Sequence, residues 1–361
     1  MDSWLKKDLE KKNLRRRLPR NMPTVVAMVM AAIWWLCGHG VVCGEVASAV
    51  TTAETAKESQ IKKAESSGVV PNAEKVTLAC YNAEWLLDVF DDPYTSDEKM
   101  PPKPRRELEA LAEAVKKVNP DILGLEEIEN EGVLRAWCAE MLGEMGYRYF
   151  CVLPTNSETG QNIGVISRWP VVKISSYRYM DLDVATNPDM VMGPDNPPRR
   201  FTRDLLEVVV KVNEEKMLHV FLAHLKSKHD SEGDSKSVRW RTAEAKAIRK
   251  QVEGLLKTDG NAWAVVMGDL NDLPGSPPLK ALLDGDVMGK KVLVDVHGGL
   301  PPSRRISYLK PPYRNQGPID YMLVTPGLAQ RLIADSAGVL SDSSLLGGSD
   351  HAPVFASFNL K

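Results

Sequence analysis

The chain has 361 residues, of which 43% are hydrophobic and 26% charged, the composition of a soluble globular protein with room for one large domain or two ordinary ones. Its net charge of −2 gives no support to a sequence-blind grip on nucleic acid by bulk charge, while leaving room for a local basic rim around an acidic site. That charge is unevenly spread: residues 1–20 set eight Lys/Arg against Asp2, Asp8 and Glu10, so this stretch carries +5 and the remainder −7.

After the basic residues 1–20, the uncharged apolar run from Val25 to Leu36, followed by small residues and Ala47-Ser48-Ala49, has the order of a secretory signal. At ~20 uncharged residues the segment is also long enough to remain as one anchoring helix. Residues 1–49 are therefore expected to be a signal peptide or membrane anchor, which makes the rest extracytoplasmic: secreted, periplasmic or tethered. Val50 to Lys75, rich in Ala, Ser, Thr, Glu and Lys, reads as a flexible linker over residues 50–75. Cys37 and Cys43 fall in the apolar segment. Cys80, Cys138 and Cys151 lack metal-ligand spacing and read as buried thiols, with Cys138–Cys151 the pair available for a disulfide in an exported domain.

Folded sequence begins at Val76. Val76 to Tyr81 predicts a strand and Arg105 to Val118 an amphipathic helix, with Leu108, Leu111, Val115 and Val118 on one face and Asn119-Pro120 as its stop. Ile122 to Leu125 is a strand, Val133 to Leu142 a helix, and Arg148–Leu153 and Ile163–Ser167 are strands. Leu205–Val212 and Leu218–Ala223 flank Asn213-Glu214-Glu215, a hairpin signal. A long helix, Val238 to Leu256, precedes the apolar run Ala262 to Met267, where Gly268 releases the chain into a turn. Ile319–Val324 and Pro353–Phe358 are the last strands. Hairpins mixed with helix-linked strands suggest packed sheets with helices outside, in one domain over residues 76–361 without internal repeats.

Polar residues recur at the ends of these strands. Asn82 follows Leu78-Ala79-Cys80-Tyr81, Glu127 follows Ile122 to Glu126, and His224 follows Phe221-Leu222-Ala223. Asp269 and Asn271 follow Met267-Gly268, Asp320 follows Pro318-Ile319, and Asp350-His351 leads into Ala352-Pro353-Val354. Ligands in sheet proteins gather beyond strand ends, so the repetition is what a site assembled by folding looks like. If the chain stays extended past Asp269, positions two apart share a face, and the Asp269 carboxylate stands beside the Asn271 amide, an arrangement suited to activating water. Each residue alone has a blander reading: an Asx turn at Asp269, a surface acid at Glu127, a turn cap at Asn82, a satisfied core histidine at His224, an Arg partner for Asp320. Six of them in order outweigh those readings.

The ordered set resembles the endonuclease/exonuclease/phosphatase superfamily, the fold of deoxyribonuclease I, over about residues 75–361. The resemblance implies an α/β (α+β) fold, a four-layer α/β/β/α sandwich that hydrolyses phosphate esters with Mg²⁺, Mn²⁺ or Ca²⁺ being substitutes. By the same resemblance Glu127 is the principal metal ligand, with Asn82 and Asp350 close to the ion, an oxygen donor set of the kind Mg²⁺ prefers. Asp269, with Asn271 beside it, positions and deprotonates the attacking water. His351 bonds the phosphate, with Asp320 fixing its tautomer and raising its pKa, and His224 is a second histidine, expected to be a cationic donor. Two departures stand out: Glu126 occupies a place where family members usually carry Gln, and Leu222 stands where many have Asn.

Substrate class rests on weaker features. Arg203 sits where many relatives place an arginine near the substrate, the alternative being a surface pair with Asp204. Lys226, Lys228, Arg239, Arg241 and Lys246 surround the His224 loop, and Arg304, Arg305, Lys310 and Arg314 precede Asp320. With Trp240, Tyr308 and Tyr313 interleaved, they form a rim suited to a nucleic acid, so Arg203, Lys226 and Arg241 are the substrate-binding candidates. No apolar hairpin of the sort expected in a membrane phosphodiesterase is evident. The leading expectation is a monomeric nuclease-like phosphodiesterase cleaving DNA or RNA. The alternatives are a phosphatase or sphingomyelinase-type enzyme on a lipid or inositol phosphate, and a catalytically silent extracytoplasmic binding domain.

Overall fold

Strands buried along nearly their whole length, such as Trp263–Asp269, build two six-stranded sheets whose inner faces meet and whose outer faces are covered by helices. This computed structural model describes residues 73–90, 95–96, 100–187, 189–287, 289–310, 317–340, 342 and 347–361. The signal or anchor expected at residues 1–49, the linker up to residue 72, and Tyr313 and Arg314 of the basic rim lie outside the described residues. Residues 69–361 form one compact unit. No helix among the described residues is long and apolar enough to cross a membrane.

The first sheet contains β1 (Lys75–Leu86), β2 (Ile122–Ile128), β3 (Tyr149–Leu153), β4 (Asn162–Ser167), β13 (Gly338–Val339) and β14 (Val354–Asn359), ordered β13-β14-β1-β2-β4-β3. The second holds β5 (Val171–Ser176), β6 (Leu205–Lys211), β7 (Met217–Ala223), β8 (Trp263–Asp269), β11 (Val294–Asp295) and β12 (Asp320–Val324), ordered β11-β12-β8-β7-β6-β5. A separate two-stranded ribbon pairs β9 (Asp286–Val287) with β10 (Lys290–Lys291). Between the sheets, Leu78, Ile122 and Val165 pack with Val208, Val220, Val265 and Met322. Outside the first sheet, Ala79, Leu123 and Leu125 meet Leu111 and Val115 of α1 (Arg105–Val118) and Leu134 and Trp137 of α2 (Glu131–Met141). Outside the second, Phe221 and Val266 meet Ala245, Ile248 and Val252 of α3 (Val238–Thr258) and Leu279 and Leu282 of α4 (Pro277–Leu283). A last short helix, α5 (Pro326–Ala329), follows β12. The layers are thus α/β/β/α, as the sequence suggests.

Local chemistry explains several boundaries. α1 ends where Asn119 turns left-handed at φ 53° and donates its N–H to Val115 O. α2 starts two residues before its apolar pattern because the Asn130 side chain accepts from Val133 N. The β6–β7 hairpin closes on Asn213, whose Oδ1 accepts from the N–H groups of Glu215 and Lys216. Cys80, Cys138 and Cys151 are buried and free, so the disulfide available to an exported domain is not formed.

A candidate active site at one edge of the paired sheets

Asn82 on β1, Glu127 near the end of β2, His224 one residue past β7 and Asp269 at the end of β8 come to the same edge. The antiparallel strands β12 and β14 start there, and deliver Asp320 as the first residue of β12 and His351 three residues before β14; Asp320 pairs directly with Asp269 across the ladder. A pocket of about 640 Å³ opens at this edge, lined by seven of the sequence candidates: Glu127, Arg203, His224, Asp269, Asn271, Asp350 and His351.

Two backbone irregularities aim the acids. At Glu127 the register slips on both sides of β2, between Asn82 and Leu86 of β1 and between Ile163 and Asn162 of β4, and Glu127 itself has φ 57°. Such a bulge reverses the normal alternation and turns a side chain out of its ladder. Glu126 consequently stays fully buried, with neither carboxylate oxygen hydrogen-bonded, while Glu127 faces the pocket. The second irregularity corrects the expectation of an extended chain past Asp269. Asn271 has φ 54° and donates its backbone N–H to Asp269 Oδ1 at 2.8 Å, so acid and amide meet through an Asx turn. The Asn271 amide then bridges Leu225 O at 3.0 Å and Asp269 Oδ2 at 3.3 Å.

Asp269 Oδ2 is the hub of the site. It lies 3.3 Å from His224 Nε2, 3.8 Å from His351 Nε2 and 3.4 Å from Asn82 Nδ2. Burial, followed by the nearby Asp320 carboxylate, raises Asp269 to about 7. Burial opposes a charged His351, yet the Asp320 carboxylate, 2.9 Å from Nδ1, keeps its pKa well above the usual histidine value. His224 differs: burial, then the charges of Arg203 and His351, push it well below, so it is a neutral imidazole. The pair of cationic histidines expected from the sequence is therefore one cation and one neutral ring, each serving as a different kind of hydrogen-bonding group.

Glu127 is approached by Asn82 Nδ2 at 3.4 Å and His224 Nε2 at 4.0 Å, and burial raises its pKa. Asp269, Asp320 and His351 also offer donor atoms within 4.8 Å of one another, but both Asp320 oxygens already accept from His351 Nδ1. In that triple Asp320 is engaged by His351 and Asp269 stands 3.8 Å from the other ring nitrogen, whereas the oxygen-rich corner of Asn82, Glu127 and Asp350, with no thiolate, has the donor chemistry of a hard divalent cation. Asp350 is shared with Lys310 Nζ at 3.1 Å.

The substrate-side candidates separate. Arg203 is buried against the pocket, with Nη2 donating to Gln161 Oε1 at 2.8 Å, and Asp204 is turned away to accept from Tyr177 N. Lys226 stands beside the pocket with Nζ 5.8 Å from the Trp240 ring. Arg241 faces inward, which corrects its place on the rim: it is fully buried, bound to Asp272 Oδ2 at 3.0 and 3.1 Å and to the carbonyls of Lys226 and Lys236. Sequence reasoning missed Gln161, in a turn without apolar periodicity, and Glu84, which pairs with Lys310 and accepts from Asp350 N at 2.8 Å.

A family model described as Endonuclease/Exonuclease/phosphatase family matches residues 77–297. No curated protein matches the chain. Among solved structures, the chain is similar to the human Nocturnin catalytic domain with bound sulfate anion, at 16% identity over 79% of this chain and 94% of that one, with a TM-score of 0.53. It is similar to truncated Caenorhabditis elegans TDP2 at 15% identity, covering 79% and 97%, with a TM-score of 0.50. An endonuclease/exonuclease/phosphatase from Bacteroides vulgatus aligns at 16% identity, covering 80% and 100%, with a TM-score of 0.53. At such identities the likeness speaks for the fold. The family model matches well over half of the length, and the chain belongs to the endonuclease/exonuclease/phosphatase family.

Proposed function

We propose that the chain is a divalent-metal-dependent phosphodiesterase that cleaves DNA or RNA with water and no covalent enzyme intermediate. The observation that carries this reading is one carboxylate, Asp269, held within 4 Å of both a neutral and a cationic imidazole beside the Glu127 corner. Glu127, Asn82 and Asp350 would hold Mg²⁺, which when bound supplies positive charge next to the phosphate. Asp269 Oδ2 orients a water and takes its proton, and the Asn271 turn fixes the carboxylate for that task. His351 donates from Nε2 to a phosphate oxygen because Asp320 occupies Nδ1. His224 keeps a neutral ring at the phosphate, and Arg203 faces the pocket as an anion donor. Incubating the purified chain with bis(4-nitrophenyl) phosphate, plasmid and oligonucleotides tests this; hydrolysis abolished by EDTA and restored by Mg²⁺ supports it, and no magnesium-dependent cleavage overturns it.

One observation favours a second reading, a lipid phosphodiesterase. The loop spanning residues 183–199 exposes Met190, Val191 and Met192, with Val191 at 92%, an apolar tip that the sequence alone did not suggest. Phosphate-ester release from sphingomyelin vesicles in preference to nucleic acid would establish that reading. We further propose an extracytoplasmic location from the apolar run in residues 1–49. N-terminal sequencing of the mature protein checks it, and residues 1–20 persisting on a cytoplasmic species would refute it.

A further inference from the structure

Beyond the pocket, cations and aromatic rings alternate in a continuous row. Lys226, next to pocket residues Ser227 and Lys228, holds its Nζ 5.8 Å from the Trp240 ring. The Arg199 guanidinium lies over the same ring at 4.2 Å and donates to Thr186 O at 2.6 Å. Trp240 is anchored in turn, its indole N–H donating to Arg200 O at 2.8 Å. Arg200 then stands 5.8 Å from the Tyr179 ring, and Arg178 lies over that ring at 4.5 Å. Tyr179 is 62% exposed.

Three features set this row apart from an ordinary solvated face. The Arg199 and Arg178 guanidinium groups are fixed by rings and by the backbone carbonyls of Thr186 and Pro154, so little of their side-chain entropy remains to be lost on binding an anion. Its cations crowd one another: after burial, the neighbouring Arg203 is the next cause lowering the Lys226 pKa. Its acids neutralise it only in part. Asp181 pairs with Arg200 at 3.1 Å with both partners half exposed, a contact of small worth; the Asp234 and Glu232 charges act on Arg199 without a side-chain ion pair to it, and Glu244 acts on Lys226 in the same way. In a chain of net charge −2 such a concentration is local and directional.

We propose that this row is the path of a single nucleic-acid strand leaving the pocket, with Lys226, Arg199, Arg200 and Arg178 meeting successive phosphates and Tyr179 stacking on a base. The proposal rests on the phosphodiesterase reading above and narrows its substrate class to single strands. A sequence-tolerant strand site combines a cationic groove with stacking surfaces, whereas a duplex buries its base faces and leaves Tyr179 nothing to stack on.

Binding of labelled oligothymidylate to the full chain, followed by fluorescence anisotropy in EDTA, tests the path without any chemistry. The expected result is tighter binding of the single strand than of a duplex of equal length. Arg199→Glu/Arg200→Glu should weaken it at least tenfold and flatten the log Kd against log salt slope by about 0.7 per lost contact. Tyr179→Ala, at an exposed ring whose loss leaves the core intact, should weaken binding several-fold, with Tyr179→Trp restoring it. In hydrolysis, the ratio of oligonucleotide to bis(4-nitrophenyl) phosphate turnover should fall with binding. Unchanged affinity and slope in these variants, equal preference for duplex, or binding to anionic vesicles instead of oligonucleotide would each overturn the path. A failure of Mg²⁺-dependent hydrolysis with intact strand binding would instead count against the enzyme reading alone.

Discussion

Glu126 and Glu127 are consecutive in β2, yet the bulge between them sends Glu127 to the pocket and leaves Glu126 against Gly268, both of its oxygens without a hydrogen bond. Glu127→Gln keeps the shape and removes the charge, and should lower Mg²⁺-dependent turnover by about 100-fold or more while the melting temperature holds. Glu126→Gln should do the reverse, retaining activity and changing stability in a pH-dependent way. Burial, then the Asp320 and Asp269 charges, raises the Glu126 pKa well above the carboxylate range. A carboxyl with a raised folded pKa contributes fully below its unfolded value of about 4.3, and that contribution is lost as pH climbs toward the folded value. The melting temperature of Glu126→Gln relative to the parent should therefore rise as pH climbs above about 4. A constant difference would mean that Glu126 titrates normally.

The His351–Asp320 contact sets the alkaline behaviour. With Asp320 at 2.9 Å the imidazole stays protonated above its ordinary range, so activity should fall only when pH passes that raised value. Asp269 must be ionised to accept a proton, and burial holds it at about 7. A bound divalent cation opposes that burial effect, placing the acid limb of the loaded enzyme below 7. The kcat/KM profile should be bell-shaped. Asp320→Asn should lower kcat by about 10²–10⁴-fold and move the alkaline limb toward lower pH. An unmoved alkaline limb in that variant would assign the limb to another group.

Arg241 and Glu244, one turn apart on α3, grip the loops of the site from behind. Arg241 binds Asp272 and the Lys226 carbonyl, and Glu244 accepts from the N–H groups of Lys226 at 2.8 Å and Thr202 at 2.8 Å. Arg241→Met leaves buried Asp272 with Lys228 as its remaining ion-pair partner, and removes the donor to the carbonyls. The expected cost is about 3–5 kcal/mol in urea unfolding. Arg241→Lys restores charge without the fork, and should recover only part of it. A near-neutral Arg241→Met would mean that the loops hold themselves.

How far the sequence carried differs between elements. α1 was legible to the residue because four apolar positions at helical spacing end on Asn119-Pro120. The site residues were legible as an ordered set of polar strand ends. β5 was not, since its Val172 and Ile174 are solvent-exposed on a sheet edge and so break the link between apolar character and burial. Nor was the choice between Glu126 and Glu127, because a bulge is a backbone event with no composition signal. Arg241 read as a rim cation because burial of a guanidinium depends on Asp272, 31 residues away.

Gly268 joins these observations. β8 does not turn at this residue; the strand runs through it, with Gly268 paired to Tyr321 and Asp269 to Asp320. Its φ of 127° is a conformation that side chains rarely adopt, and a Cβ there would stand 2.2 Å from Ala223 O and 2.7 Å from Glu126 Oε1. Neither obstacle moves easily, since one is backbone of the adjacent β7 and the other a carboxyl enclosed between the sheets. Gly268→Ala should therefore destabilise the fold by about 3–5 kcal/mol. It should also displace Asp269 from His224, whose loop begins at the same Ala223, so the folded fraction should lose turnover as well. Urea unfolding monitored by circular dichroism, with activity normalised to folded protein, separates the two effects. An alanine variant as stable and as active as the parent would show that β7 and β8 have slack at this edge, and that the spacing of Asp269 and His224 is set elsewhere.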